Sequence, residues 1–215
     1  MKKIKAVLFD FDGTLMDTNR IVLESWYHVY DTLGVPRDPD EKIVRTFGES
    51  LQDSLAAYFP GHDPEELLKV YRSYQQHHFR DLVHPFEGMP ELIHELKDRG
   101  YKLAIVTSRL WQTLKNNCYD FRDEAYFDVI VDQNDTKAHK PDPEPCLIAL
   151  RKLGVAADEA VMIGDAKYDT LCAKNAGVTS VLVAWSLACP PEKAVGDAKP
   201  DFIIEKPSDL LEILE

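Results

Sequence analysis

From residue 86 onward, short apolar segments alternate with segments of helical periodicity, and short loops join them. The apolar segments cover 103–107, 127–131, 160–163, 180–183 and 202–204, and the helical segments cover 90–99, 110–117, 143–153, 169–176 and the residues from 210. A further segment at 4–9 is apolar on both faces, which is typical of a central strand in a parallel sheet. Strands and helices that alternate in this way form a parallel sheet covered by helices, so the sequence predicts the α/β fold class.

Residues 18–83 follow a different pattern, because they carry helical spacing and no strand signal. Gly34 ends the first predicted helix, and Gly48 separates the second from the third. Asp63 followed by Pro64 is typical of the N-terminus of a fourth helix. We therefore expect an all-helical insert at 18–83, between the two parts of a core at 1–17 and 84–215.

Polar residues follow three of the predicted strands. Asp10, Thr107 and Asp165 each stand at the carboxyl end of a strand, although they are far apart in the sequence. In open parallel sheets, ligands bind in the crevice outside these carboxyl ends. The three residues are therefore expected around one crevice, which is the candidate site.

Carboxylates are concentrated at this expected crevice. Asp12 lies two residues after Asp10, and Asp169 lies four residues after Asp165. Four carboxylates against one lysine, Lys140, leave a local charge of −3, and carboxylates this close raise one another's pKa unless a cation is present. Oxygen ligands alone suit magnesium, so we expect Mg²⁺ to be held by these four aspartates.

A magnesium site beside a lysine suits a phosphoryl group, whose negative charge must be neutralised before a carboxylate can approach it. Donors to the phosphoryl oxygens are expected from the ammonium of Lys140, the hydroxyl of Thr107 and the backbone amides of Gly13 and Thr14. Asp10 is then placed to act as a carboxylate nucleophile. Asp12 is placed to protonate the leaving group and later to activate water.

Four short motifs together resemble the signatures of the haloacid dehalogenase-like (HAD) hydrolase superfamily. They are Asp10-Phe11-Asp12-Gly13-Thr14-Leu15, Thr107 after the apolar 104–106, Lys140 before Pro141, and Gly164-Asp165 with Asp169. They occur in the family's order and span nearly the whole chain. Each motif alone is a weak signal, whereas four in order, each at a predicted strand or helix end, form a strong one.

This resemblance implies a Rossmann-like core, a magnesium cofactor and hydrolysis of a phosphomonoester through an aspartyl-phosphate intermediate. It makes Asp10 the nucleophile and a metal ligand, Asp12 the acid/base with its carbonyl on the metal, and Asp165 a direct ligand. Asp169 is left as a direct ligand, a water-mediated ligand or a partner of Lys140. The insert is similar to the helical cap of phosphoglycolate phosphatases, and Asp12 separates the chain from the dehalogenases, which lack this second acidic residue.

Two further groups of residues each allow a functional and a purely structural interpretation. Ser108 and Arg109 either contact the substrate, with Arg109 on a second anionic group, or are a helix entry and a solvated arginine. The break between two helices of the insert either faces the active site and sets specificity, as in similar proteins, or forms an ordinary turn. Its residues are Arg45, Gly48, Glu49 and Ser50.

The composition limits the classes of binding partner and the cellular compartment that we expect for this protein. The net charge of −12 argues against nucleic acid and anionic membranes but says nothing about small anionic substrates. The expected partner, a small phosphorylated substrate, follows from the resemblance. No apolar stretch reaches the ~18–20 residues of a membrane span, and the apolar run near the N-terminus is too short for a secretory signal, which predicts a cytoplasmic protein. The four cysteines show no Cys-x-x-Cys spacing and are expected to be reduced thiols in or near the core.

Several hypotheses for the function stay open. The first is hydrolysis of a small phosphorylated metabolite by a phosphoglycolate phosphatase-like enzyme. Inorganic pyrophosphate is a close alternative, because residues 106–110 and 140–145 resemble the pyrophosphatase branch about as well. A phosphosugar mutase and a non-catalytic binding or regulatory protein on the same fold are further alternatives, although intact Asp10, Asp12, Lys140 and Asp165 argue against the last. The oligomeric state is not predicted.

Overall fold

The computed structural model describes residues 3–110, 126–190 and 194–214 and contains a central parallel sheet. In chain order the strands are β1 (Ala6–Phe9), β2 (Met16–Asp17), β3 (His84–Pro85), β4 (Lys102–Val106), β5 (Val129–Val131), β6 (Ala160–Gly164), β7 (Thr179–Val183) and β8 (Phe202–Ile204). Six of them form the sheet in the order β5-β4-β1-β6-β7-β8, and every neighbouring pair is parallel. The predicted α/β class, with the 4–9 strand in the centre, is therefore confirmed.

Helices connect these strands close to the predicted positions. The described residues form α1 (Asn19–Leu33), α2 (Asp40–Val44), α3 (Leu51–Tyr58), α4 (Pro64–Leu82), α5 (Met89–Asp98), α6 (Glu144–Leu153), α7 (Lys167–Asn175) and α8 (Leu210–Leu214). The helix predicted at 110–117 lies, after residue 110, outside the described residues. Across the part of the chain that is described, no helix combines the length and the apolar character needed to cross a membrane.

Side chains alternate between the two faces of the sheet, so each strand contributes to two separate cores. On one face, Phe9, Ile105 and Ile163 belong to a buried cluster with residues of α5 and α8. On the other face, Leu8 and Met162 belong to a cluster with residues of α6 and α7. Burial on both faces is the reason that these strands read as continuous apolar segments.

Between β2 and β3, helices α1–α4 bury a cluster of side chains of their own. Trp26 of α1 lies with its ring centroid 6.0 Å from that of Phe59 and 6.5 Å from that of Tyr71. As predicted, Asp63 caps α4: its Oδ1 accepts a hydrogen bond from the amide of Glu65 at 3.0 Å. A separate apolar cluster is what an inserted helical unit needs to keep its shape. The boundaries expected at 17/18 and 83/84 remain a proposal.

The segments that enter and leave this helical region lie side by side. β2 and β3 pair antiparallel, with Met16 opposite Pro85 and Asp17 opposite His84. The sequence predicts no strand at either position, because two residues per strand are too few to show a periodicity.

The cysteines of the described residues are buried free thiols, as predicted, and Cys118 lies outside those residues. Cys146 of α6 and Cys172 of α7 have their Sγ atoms 3.4 Å apart. Their separation of 26 residues gives no sign of proximity, which results from the packing of α6 against α7.

Candidate active site

The carboxyl ends of β1, β4 and β6 meet at one edge of the sheet. Phe9 lies opposite both Ile105 and Ile163 in the neighbouring strands, so the residues just beyond them share this edge. A cavity of about 780 Å³ opens there, and its lining includes Asp10, Thr107 and Asp165. Asp10, Thr107 and Asp165 therefore lie around one crevice in the structure, which is the arrangement expected from the strand ends.

Lys140 joins two of the aspartates. Its Nζ donates to Asp10 Oδ1 at 2.7 Å and to Asp169 Oδ1 at 2.6 Å. The lysine side chain is only 4% exposed, so the two carboxylates compensate a charge that has little access to water. Burial acts to lower the pKa of Lys140, but Asp10 and Asp169 outweigh it and raise that pKa above its usual range. Lys140 is therefore held in its charged form in the wall of the cavity.

Asp10 and Asp165 hold their protons more tightly than isolated carboxyl groups do, because the pKa of each is raised. Burial raises the pKa of Asp10 to about 7, against the attraction of Lys140 and with help from the charges of Asp169 and Asp12. Burial also raises the pKa of Asp165 well above its usual range, and Asp10 and Asp169 add to this. Full ionisation of the cluster would therefore place more negative charge there than the lysine neutralises.

The donor set of this cluster fits a divalent cation. Asp10, Asp165 and Asp169 each offer a carboxylate oxygen, and these oxygens lie within 4.8 Å of one another. Within the described chain, Asp10 Oδ2 and Asp165 Oδ1 accept no hydrogen bond, whereas Asp169 is engaged through Oδ1 by Lys140 and through Oδ2 by the amide of Ala166 at 3.0 Å. Oxygen donors at this spacing suit Mg²⁺. Asp10 and Asp165 are the carboxylates with a free oxygen for it, and Asp169 is bound to Lys140.

Asp12 is paired with a cation that the charge count from the sequence left out. Arg109 Nε donates to Asp12 Oδ2 at 2.8 Å and to Oδ1 at 3.1 Å, and Arg109 Nη1 donates to Gln75 Oε1 at 2.8 Å. Arg109 lies in the loop after β4, and Gln75 lies on α4 in the helical region. The solvated-arginine alternative is therefore wrong. In this structure Arg109 contacts the expected acid/base and connects it to α4.

The residues expected to bind the phosphoryl group differ in their placement. Ser108 and Gly13 line the cavity, but the Gly13 amide donates to the carbonyl of Met16 at 2.8 Å and is therefore occupied. Gly13 has φ of 70°, and a Cβ there would lie 1.9 Å from Asp165 Oδ2, so the position accommodates no side chain. The side chain of Thr14 is fully buried outside the cavity lining, and its Oγ1 has no hydrogen-bond partner among the described residues.

The break between helices of the insert faces the same cavity. Gly48, Glu49 and Ser50 line it, whereas Arg45 does not. Glu49 Oε1 accepts a hydrogen bond from the hydroxyl of Tyr168 at 2.7 Å, and Tyr168 lies between Asp165 and Asp169 in the sequence. This contact brings the helical region against the end of β6 and the first turn of α7, which carry Asp165 and Asp169, so an ordinary solvent-exposed turn does not describe it.

Ser186 contacts the aspartate cluster but is not among the site residues expected from the sequence. Ser186 Oγ donates to Asp165 Oδ2 at 2.6 Å, and Ser186 is buried. It follows β7, which neighbours β6 in the sheet, so the strand-end rule that identified Asp165 could have identified it. Gln75 was also missed, and its mid-helix position gives no comparable signal.

Comparisons with known families and structures identify the family of this chain. The family model described as haloacid dehalogenase-like hydrolase matches residues 7–183, which include all four motifs. A putative pyrophosphatase PpaX of Caldanaerobacter subterraneus subsp. tengcongensis is 40% identical over 214 residues, which cover 99% of this chain and 96% of that protein.

Solved structures resemble the whole chain. A haloacid dehalogenase-like family hydrolase of Streptococcus pneumoniae has a TM-score of 0.86 with 26% identity, and the match covers 100% of both chains. A putative phosphoglycolate phosphatase of Lactobacillus plantarum has a TM-score of 0.83 with 27% identity, and the match covers 98% of this chain and 99% of that one. The likeness therefore includes the helical region as well as the sheet.

Proposed function

The chain belongs to the haloacid dehalogenase-like hydrolase family and is a hydrolase of the phosphatase type, and from this premise we propose that it cleaves a small phosphorylated substrate with Mg²⁺ by way of a phosphoryl group carried on Asp10. The observation that carries the proposal is the position of Asp10. Its carboxylate lies at the carboxyl edge of the central strand, with Oδ1 held by the buried Lys140. Its other oxygen faces no hydrogen-bond donor of the described chain, and an oriented, desolvated carboxylate is suited to nucleophilic attack.

The proposed reaction has two steps. In the first, a carboxylate oxygen of Asp10 forms a bond to phosphorus, the bond from phosphorus to the leaving oxygen breaks, and Asp12 gives that oxygen a proton where it needs one. In the second, Asp12 takes a proton from water, the water oxygen attacks the phosphorus, and the aspartyl bond breaks to release inorganic phosphate. Lys140 stays charged throughout and neutralises part of the negative charge on the phosphoryl oxygens.

Magnesium would be held by Asp10 and Asp165 and by the main-chain carbonyl of Asp12, and it would supply the positive charge that lets an anionic phosphoryl group enter this acidic site. Asp169 is assigned to Lys140, because both of its oxygens already accept hydrogen bonds. Thr107, which is buried at the cavity wall, is assigned to the phosphoryl oxygens.

We assign residues 18–83 as a cap that closes over the cavity, with 1–17 and 84–215 as the catalytic core. Two contacts support this assignment, because each joins the helical region to a residue of the core. They are the hydrogen bonds from Arg109 to Gln75 and from Tyr168 to Glu49. The antiparallel pair β2–β3 lies at both connections, which makes it the expected hinge.

Inorganic pyrophosphate is the first candidate substrate, because the relative that matches almost the whole chain at 40% identity is named a pyrophosphatase. Phosphoglycolate is the second, because a structural neighbour carries the name phosphoglycolate phosphatase. In both substrates, the part that leaves after phosphoryl transfer is itself an anion, and Arg109 at the cavity wall suits such a group.

The test is phosphate release from a panel of pyrophosphate, phosphoglycolate, sugar phosphates and nucleotides, with Mg²⁺ and with excess chelator. The Asp10→Asn variant should be folded and inactive, since an amide cannot attack phosphorus. Asp53→Asn is the matched control, because Asp53 also lines the cavity but lies on α3. Full activity of Asp10→Asn, or of the wild type in chelator, contradicts the mechanism. Isomerisation of a sugar phosphate without phosphate release identifies a mutase, and binding without turnover identifies a binding protein.

A further inference from the structure

One face of α4 forms part of the wall of the cavity. Leu68, Arg72, Gln75 and Phe79 all line the cavity, and their spacing of four, three and four residues places them along one side of the helix. Two of these side chains are polar. Gln75 contacts Arg109 of the core, whereas Arg72 lies one helical turn away from Gln75 on the same side.

The cations of the cavity differ in how they are neutralised. Lys140 is bonded to Asp10 and Asp169, and Arg109 is bonded to Asp12. Arg72 is exposed and forms no ion pair with any residue in the described ranges, although it lines the same cavity. Its charge is therefore available to a ligand.

Gln75 is fixed in the orientation that it needs to hold Arg109. Its Nε2 donates to the hydroxyl of Tyr71 at 3.3 Å, which leaves Oε1 to accept from Arg109 Nη1 at 2.8 Å. Gln75 is buried, so the amide is not displaced by water. Arg109 is thus held by a neutral amide of the cap and by the carboxylate of Asp12.

We propose that Arg72 and Arg109 form a second anion subsite at the α4 wall of the cavity, which selects substrates whose leaving group carries its own negative charge. The proposal rests on the phosphatase function proposed above. Binding of such a leaving group moves Arg109 from Asp12 to the substrate, because the substrate anion, supported also by Arg72, competes for the guanidinium. Asp12 is then freed to exchange a proton at the moment when substrate is present.

This exchange separates two classes of substrate. A diphosphate or a phosphorylated carboxylic acid supplies the second anion and releases Asp12. A phosphate ester of a neutral alcohol does not, so Asp12 stays paired with Arg109 and turnover is slow. Discrimination against simple phosphate esters therefore needs no steric exclusion.

Binding measurements test the subsite without relying on turnover. Imidodiphosphate, a non-hydrolysable diphosphate, and inorganic phosphate are titrated calorimetrically with Mg²⁺ in excess, into the wild type and Arg72→Gln. Arg72→Gln should weaken imidodiphosphate binding by roughly 10-fold, the lower end of the range for a hydrogen bond to a charged group because Arg72 is exposed, and should change phosphate binding by less than about 2-fold. Arg80→Gln, which removes the same charge from α4 at a residue outside the cavity lining, should bind both ligands as the wild type does.

Three results overturn the subsite: imidodiphosphate that binds the wild type no more tightly than phosphate, equal weakening of both ligands by Arg72→Gln, or no weakening of either. The proposed function fails separately. If Arg72-dependent imidodiphosphate binding persists while no panel compound is cleaved, the subsite stands and the phosphatase assignment falls. If pyrophosphate is cleaved with Asp10 required and Arg72→Gln has no effect on binding, the phosphatase assignment stands and the subsite falls.

Discussion

Removal of the Ser186 hydroxyl should weaken magnesium binding without unfolding the protein. Ser186 Oγ donates to Asp165 Oδ2 at 2.6 Å, and both residues are buried, so no water replaces the lost donor easily. In Ser186→Ala the carboxylate loses the contact that orients it and favours its charged form. We therefore expect a lower population of the arrangement that binds the metal.

The size of the effect follows from two separate considerations. Partners that orient a metal ligand typically change metal affinity by about 10- to 100-fold. A hydrogen bond to a charged group contributes ~1.5–3 kcal/mol, which corresponds to roughly 10- to 150-fold at ~1.4 kcal/mol per decade. We expect Ser186→Ala to raise the Kd for Mg²⁺ by about 10- to 100-fold.

The assay is calorimetric titration of Mg²⁺ into the substrate-free protein at constant pH. Ser186→Thr keeps the hydroxyl and should restore most of the affinity. Ser180→Ala is the matched control. Ser180 Oγ donates a hydrogen bond to Asp201 Oδ2 at 2.7 Å, and neither residue lines the cavity. The substitution should lower thermal stability but leave the Kd unchanged. A Kd for Ser186→Ala within about 2-fold of the wild type, or an equal effect of Ser180→Ala, refutes the reasoning.

Three more outcomes are expected. Asp12→Asn should lower kcat by about 10²–10⁴-fold through loss of proton transfer, and an unchanged kcat excludes Asp12 as the acid/base. Gly48→Ala should reduce kcat/KM, because φ is +81° and the new Cβ would lie 2.9 Å from Ala166 Cβ, where the helical region contacts the segment after β6. Gly61→Ala, at φ of +92° with nothing within 4 Å, controls for backbone strain, and equal effects of the two variants contradict the contact. Finally, burial raises the pKa of Asp10 to about 7 from its ordinary 3.8, so the folded state binds this proton more tightly. The free energy of unfolding of the metal-free wild type should therefore fall, relative to Asp10→Asn, as pH rises from about 4 to about 7. Urea unfolding that shows no such fall contradicts the raised pKa of Asp10.

Local sequence patterns were sufficient to predict the sheet and the edge of it that carries the candidate site. β1, β4 and β6 are buried on both faces, so their apolar runs are visible without any tertiary information. The carboxyl ends of parallel strands share one edge, so the placement of Asp10, Thr107 and Asp165 follows from the strand assignments alone. The start of α4 at Asp63-Pro64 was equally local, because an N-cap is satisfied within its own helix turn.

Contacts between distant segments could not be predicted from the sequence. The two strands of the β2–β3 pair have two residues each, and only the pairing of Met16 with Pro85 reveals them. The charge count at the site was wrong for the same reason, since it included Lys140 and left out Arg109. The sequence left Arg109 open between a substrate ligand and a solvated side chain, and its bond to Asp12 was not foreseen.

The sequence by itself determined the fold class, the family and the set of aspartates with their lysine, because strand periodicity and motif order are properties of short segments. The tertiary structure decided how those groups are paired. Arg109 reaches Asp12 across 97 residues and Gln75 across 34, and Ser186 reaches Asp165 across 21. Which side chains meet over such separations depends on the packing of whole helices and strands, and that packing also places Arg72 on the cavity wall without an ion-pair partner in the described chain.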